Sequence, residues 1–301
     1  MVTSGKVNYV NTQFQVPGMG KVVMNIVAPV IVLLIFLFLW ARWQEKNGLF
    51  FPARDLYRSP ATEGLAFEDV YFNSNSSKLH GWFIPASGEK IVLWMHGNAG
   101  NIADRLDQAI KMKRTLGVSS FMFDYRGYGN SEGKPSEAGL YEDAEAALAW
   151  LMGTRGIDPR NIILYGHSLG TAVAVDLALG QGADTAGIVL ESPFTSAAGM
   201  ARRMYMGLPV HWIMSVKLDN IGRIGDVKMP ILIIHGVRDT VIPFGMGKKV
   251  FDAAPEPKTF LPIANGDHSD CYYVGGEEYW GAWQDLLDQV QRPTSNVQRG
   301  H

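Results

Sequence analysis

Cysteine is almost missing from this chain of 301 residues, Cys271 being the single example. One thiol cannot close an internal disulfide, so the fold has to stand on its core; a reducing compartment suits it without being required. An excess of either charge is missing too. The 27 Lys and Arg against 29 Asp and Glu leave a formal charge of −2, which removes the electrostatic case for nucleic acid as a partner. No internal repeat or low-complexity tract is present, so a repeat array is excluded. Locally, charge disappears altogether between Lys21 and Arg42.

That gap, residues 22–41, includes the unbroken apolar run Val30 to Leu39. At about 1.5 Å per residue it reaches about 30 Å, the thickness of the hydrocarbon layer, and a single transmembrane helix is predicted. Pro29 in its first half can kink such a helix without preventing it from spanning. A cleaved signal peptide is the rival reading. The run is long for a signal, however, and it closes on Trp40, Arg42 and Trp43, an interfacial anchor pattern in place of small residues at a cleavage site. Lys6 and Lys21 precede the span, whereas Arg42, Lys46, Arg54 and Arg58 follow it, a balance that tilts toward a single-pass chain with its globular part in the cytoplasm.

Beyond the span, short apolar runs alternate with helical stretches. Strands are predicted at 70–72, 79–84, 91–95, 118–123, 162–165, 188–190, 231–234 and 260–263. After the first hairpin the alternation calls for a mostly parallel eight-stranded sheet with helices on both faces, an α/β class. The clearest helix is 137–153, with Leu140, Ala144, Ala147, Leu148 and Leu151 on one side. The expected organisation is an N-terminal segment 1–60, one domain 61–291 and a polar tail 292–301. An inserted segment, 194–229, is rich in Met and aromatic residues, among them Met200, Met204, Tyr205, Met206, Trp212 and Met214, with Leu208, Val210, Ile213 and the basic pair Arg202 and Arg203 nearby.

The string Gly166-His167-Ser168-Leu169-Gly170 ends one apolar strand and opens a helix. Strand, sharp turn and helix is the setting in which a serine is presented as a nucleophile, with small neighbours tolerating the strained backbone. A serine needs a base, and the base a carboxylate to orient it. Of the seven histidines, His80 lies in an early strand, His211 in the Met-rich segment and His301 at the end of the chain. His167 is read as packing beside the turn, and His96 and His235 as closing buried strands. His268 remains, in the polar loop after the last strand. Asp239, just beyond the seventh strand, is its expected partner; Glu191, at the end of the sixth, is the rival and is read as structural. Asp124 and Arg126 are read as bracing the loop after the fourth strand. The glycine-rich turn His96 to Asn101 is expected to offer the Asn98 N–H opposite that of Leu169 to a developing oxyanion.

These motifs, with Asp124-Tyr125-Arg126-Gly127-Tyr128-Gly129 between them and Asp270 after His268, resemble the membrane-anchored branch of the α/β-hydrolase domain proteins. Fungal members of that branch are called bud-emergence-like proteins, and relatives include protein depalmitoylases; the likeness runs from Phe67 to about Gln291. The depalmitoylase relatives anchor through an N-terminal cysteine cluster, which this chain lacks. The resemblance implies an α/β-hydrolase fold whose short cap, 194–229, lies over the active site. It also implies a serine hydrolase with Ser168, Asp239 and His268 as catalytic residues, Asn98 and Leu169 as oxyanion donors, and no metal or cofactor. The expected activity is cleavage of carboxylic esters or thioesters through an acyl-enzyme. Held at a bilayer, the domain would meet lipid-like acyl substrates, and the cap's Met and aromatic side chains would either line an acyl pocket or simply pack. Two rivals stand beside this reading: a prolyl-oligopeptidase-like serine peptidase, and a non-catalytic membrane scaffold with the same fold. Acyl length, headgroup and oligomeric state are not legible in the sequence.

Overall fold

Branched aliphatic residues crowd the runs marked as strands, and the computed structural model pairs all eight runs into one sheet. It describes residue 20 and residues 23–206, 212 and 214–291. The strands are β1 (Phe51–Pro52), β2 (Glu68–Ser74), β3 (Ser77–Ile84), β4 (Ile91–Met95), β5 (Ala99–Gly100), β6 (Ser119–Asp124), β7 (Ile162–His167), β8 (Gly187–Glu191), β9 (Ile231–Gly236) and β10 (Lys258–Ile263). The main sheet runs β10-β9-β8-β7-β4-β6-β3-β2. Strand β3 is antiparallel to both β2 and β6, and the remaining neighbours are parallel. The two-residue strands β1 and β5, which nothing in the sequence pattern announces, pair with each other outside this sheet.

Parallel strands buried on both faces read as continuous apolar runs, and alternate residues then serve two different cores. On the central strand β4, Ile91, Leu93 and Met95 join the core on one face, while Val92 and Trp94 join the core on the other. The first core is closed by α3 (Glu137–Ala149) and α4 (Leu169–Leu179), the second by α2 (Leu106–Leu116) and α8 (Gly276–Gln291). Helix α4 is buried on nearly all sides, only Asp176 and Leu179 reaching partial exposure. The remaining helices are α1 (Ala28–Asn47), α5 (Ala197–Met204), α6 (Phe244–Ala253) and α7 (Cys271–Val274). The helix expected over 137–153 is α-helical to Ala149 and widens into a π-helical turn over Trp150–Thr154.

Asp124 and Arg126 brace loops, as their positions suggest. Asp124 Oδ1 accepts the Ile102 N–H at 2.9 Å. Arg126 donates through Nε and Nη2 to the buried Asp143, which also accepts its backbone N–H at 2.7 Å. Among the described residues one stretch, Val23–Trp43, is long and apolar enough to cross a bilayer. Its large apolar side chains are exposed, Ile31 at 50% and Phe36 at 62%, and only Ala41 near its end is buried. Val22, Lys6, Lys21, Leu208, Val210, His211, Ile213 and the tail 292–301 lie outside the described residues.

Strand β7 and helix α4 approach so closely at their junction that side chains are excluded. A Cβ on Gly170 would strike the Met95 carbonyl, and one on Gly166 would strike the Gly170 carbonyl, both backbone atoms that cannot swing away. Gly170→Ala is therefore expected to cost about 3 kcal/mol or more. Gly245→Ala, in the exposed first turn of α6 where nothing lies within 4 Å, should be neutral or stabilising by up to about 1 kcal/mol. Thermal unfolding of the two variants in detergent measures the contrast.

Candidate active site

The chain leaves β7 at His167 and must reverse within one residue to enter α4. Ser168 takes the turn with φ 53° and ψ −119°, a region that costs a non-glycine residue about 1–3 kcal/mol. Neighbouring hydrogen bonds hold it there: the Ser168 N–H donates to the Glu191 carbonyl at 2.9 Å, and the Ser168 carbonyl accepts from Thr171 N and Oγ1. The hydroxyl is thereby aimed away from the sheet, over the carboxyl ends of β4, β7, β9 and β10.

Two loops meet it there. His268, after β10, places Nε2 3.0 Å from Ser168 Oγ and Nδ1 2.9 Å from Asp239 Oδ2. The His268 backbone is fixed on both sides: its N–H donates to Asp267 Oδ1 at 2.7 Å and its carbonyl accepts from His167 Nε2 at 2.9 Å. Asp239, after β9, receives the Val241 and Ile242 N–H groups on Oδ1 at 2.9 and 2.7 Å. Burial alone would raise the Asp239 carboxyl, but the hydrogen bonds from His235, His268 and the Ile242 N–H outweigh it and hold the group far below the ordinary carboxylate range. An ionised Asp239 has no proton to give, so the Nδ1 of a neutral His268 carries the hydrogen and its Nε2 is left to accept from the Ser168 hydroxyl. The arrangement can take a proton from Ser168 while the carboxylate stabilises the imidazolium that results.

The other histidines among the described residues, His80, His96, His167 and His235, lie outside the proton relay. Burial drives the His167 imidazole well below its ordinary pKa, so its single proton sits on the nitrogen facing the His268 carbonyl. His96, wholly buried, is lowered to about 3 by the same cause and turns Nδ1 to the Gly97 carbonyl at 2.7 Å. His235 Nε2 lies 3.0 Å from the Ile242 carbonyl and 3.4 Å from Asp239 Oδ2, bracing the carboxylate from behind. His80 Nε2 pairs with Asp69 at 2.7 Å, remote from Ser168 in the sheet. Glu191 is turned away from His268. Its Oε2 accepts from Tyr165, Tyr279 and Gln108 at 2.9, 2.7 and 3.1 Å inside the second core, and burial raises its pKa.

Ser168 opens into a cavity of about 290 Å³ that Asn98 and Leu169 also line. Its remaining walls are apolar: Met200, Met204 and Tyr205 from α5 and its end, with Phe194, Met214, Leu218, Val241 and Ile242. Met206 and Trp212, the other cap side chains expected there, stand 92% and 79% exposed and are not on the wall. Ala41, Leu49 and Phe51 are on it, from the N-terminal segment that the sequence set apart from the catalytic domain. Nothing local marks them, because their neighbours in the cavity, from Asn98 to Ile242, lie dozens to hundreds of residues away in the chain. Among the described residues no group of three or more His, Cys, Asp or Glu is placed to hold a metal ion.

The family of serine aminopeptidases, S33, matches residues 86–221. The uncharacterized protein Rv2307c of Mycobacterium tuberculosis is 36% identical over 262 residues, 86% of this chain and 89% of that protein. The alpha/beta hydrolase domain-containing protein WAV2 of Arabidopsis thaliana is 36% identical over 245 residues, 74% of this chain and 79% of its own length. The chain belongs to the α/β-hydrolase superfamily. Solved structures carry the same fold at lower identity. An esterase of Pyrococcus furiosus superposes with a TM-score of 0.65 at 21% identity, over 80% of this hydrolase and 98% of that chain. Est1E of Butyrivibrio proteoclasticus, with ferulic acid bound, gives 0.61 at 17%, over 74% and 100%. The family match spans β4, the Ser168 turn and much of the cap, whereas Asp239 and His268 lie beyond it, so their place in this α/β-hydrolase rests on the geometry above.

That geometry ranks the two acids. Asp239→Asn is expected to lower kcat on p-nitrophenyl butyrate by about 10⁴-fold, through the wrong imidazole tautomer and an unpaired imidazolium. Glu191→Gln should cost less than about tenfold, since its side-chain hydrogen bonds reach neither His268 nor Ser168 and its backbone bond to the Ser168 N–H is kept. The reverse order would move the acid to β8.

Proposed function

We propose that the chain is a membrane-anchored serine hydrolase that cleaves carboxylic esters or thioesters of lipid-like acyl groups. The observation that carries this reading is the Ser168–His268–Asp239 relay opening into an apolar cavity. Ser168 Oγ attacks the acyl carbonyl as His268 Nε2 takes its proton, and the Asn98 and Leu169 N–H groups receive the oxyanion. Collapse of the tetrahedral intermediate releases the alcohol or thiol, which carries away the proton from His268, and leaves an acyl-Ser168. Water, deprotonated by the same imidazole, attacks that ester and frees the acid.

The exposed apolar surface of α1 supports an anchor, and the charge balance around it favours the cytoplasmic side. The tether would concentrate the domain where acyl lipids are found. The matched family's description raises a second reading, aminopeptidase action. An aminopeptidase must hold the substrate's ammonium, whereas the cavity wall carries no Asp or Glu among the described residues, which favours an acyl occupant.

Ser168→Ala is expected to abolish both p-nitrophenyl ester hydrolysis and labelling by a fluorophosphonate, a loss of several orders of magnitude. Met204→Ser should cost more on a C12 ester than on C4, because each methylene that loses an apolar contact is worth about 0.8 kcal/mol. Rates on the two esters provide the measurement, and equal losses would leave the cavity without a part in chain selection.

A further inference from the structure

The residues that follow the apolar helix do not drift away as a linker. Strand β1 lies parallel to β5 on the glycine-rich turn that presents Asn98. The Phe51 N–H donates to the Asn98 carbonyl at 2.9 Å, and the Ala53 N–H donates to the Gly100 carbonyl at 3.0 Å. In return the Asn98 side-chain amide donates to the Leu49 carbonyl at 3.2 Å. Asn101 Nδ2 holds the outer end of the strap through the Ala53 and Asp55 carbonyls, at 3.2 and 2.7 Å. Tyr128 adds a second donor, its hydroxyl reaching the Asn98 carbonyl at 2.8 Å. Both the carbonyl and the side-chain amide of Asn98 are thus tied down. Among the described residues its own N–H has no acceptor, and the residue faces the cavity beside Ser168 and Leu169.

We propose that the strap 49–53 is a positioning element of the hydrolytic centre: by clamping the Asn98 carbonyl and amide it holds the Asn98 N–H toward the oxyanion. An oxyanion donor acts only if its direction is set before charge develops; the Gly97–Asn98 peptide is held at its Gly97 carbonyl by His96 Nδ1 at 2.7 Å, and the Asn98 side of the turn needs a hold of its own. The strap supplies that second hold from outside the domain core. Because it continues from α1 with only Gly48 between them, it also joins the apolar helix to the reacting centre. The inference rests on Ser168 being the nucleophile.

The test uses the full-length chain in lipid nanodiscs, a p-nitrophenyl acetate assay and a short-chain trifluoromethyl ketone. Ser168 Oγ adds to the ketone carbonyl, its proton passes to His268, and the hemiketal oxyanion that forms occupies the site of the transition-state charge. Phe51→Ala removes a ring from the cavity and keeps the N–H; Phe51→Pro deletes the N–H and puts the ring Cδ against the Asn98 carbonyl. Relative to Phe51→Ala, Phe51→Pro should lose at least about tenfold in kcat/KM and the same factor in affinity for the ketone, with KM little changed. Asn101→Asp keeps an oxygen for the Ala103 N–H and replaces the amide that holds the strap by a carboxylate oxygen that repels the Ala53 and Asp55 carbonyls, so it reads the same effect should Phe51→Pro fail to fold. It too should show parallel losses in kcat/KM and ketone affinity at an unchanged Tm. Losses in rate without loss of ketone affinity, or no loss in either folded variant, would overturn the proposal. Hydrolysis by Ser168→Ala would overturn the nucleophile assignment and this inference with it; an inactive Ser168→Ala beside unaffected Phe51→Pro and Asn101→Asp would overturn this inference alone.

Discussion

The close approach of β7 and α4 is the constraint on which the rest of the site depends. Two glycines with no room for a Cβ allow the contact, and Ser168 between them is forced to a positive φ. The strain is held by the sheet itself, since the Ser168 N–H closes on the Glu191 carbonyl of the adjoining strand. Parallel strands carry their carboxyl ends to one edge. Ser168, Asp239, His268 and Asn98 each lie just past such an end, so one register of one sheet brings four distant stretches of chain together.

Burial then sorts chemically similar groups into different parts. His96 and His167 are enclosed and neutral, and each spends its ring proton on a carbonyl, whereas His268 remains partly open with its two nitrogens facing a carboxylate and a hydroxyl. The carboxylates divide in the same way. Asp239 is held far below the ordinary carboxylate range by donors on both oxygens, while burial in the apolar core raises Glu191 against the hydrogen bonds that two phenols and an amide donate to it. Neither distinction follows from residue type; each follows from what the fold puts within about 3 Å.

The cavity above Ser168 is shared between the cap and the segment entering from the apolar helix. The stretch that follows the proposed anchor contributes Leu49 and Phe51 to the wall and the backbone groups of Leu49, Phe51 and Ala53 to the Asn98 turn. Apolar helix, pocket wall and proposed oxyanion site are therefore joined along one continuous stretch of chain by a few backbone hydrogen bonds.

Much of this was legible in the sequence because it is local. The apolar runs, the glycines around Ser168, the length of residues 22–41 and the polar loops holding Asp239 and His268 are read from neighbours within a few residues, where backbone sterics and periodicity act. The main-sheet strand boundaries agree within about two residues for the same reason. Side-chain partners across the chain were not legible. The sequence left open whether the cap's Met and aromatic residues line the pocket, and Met206 and Trp212 turn out exposed; it set residues 1–60 apart, yet Ala41, Leu49 and Phe51 reach the cavity. Strand β1, two residues long and containing a proline, has no periodicity to detect. Its pairing with β5 exists only because the folded sheet brings the Asn98 turn within reach of the chain that follows the helix, a contact decided by tertiary packing and by no pattern along the sequence.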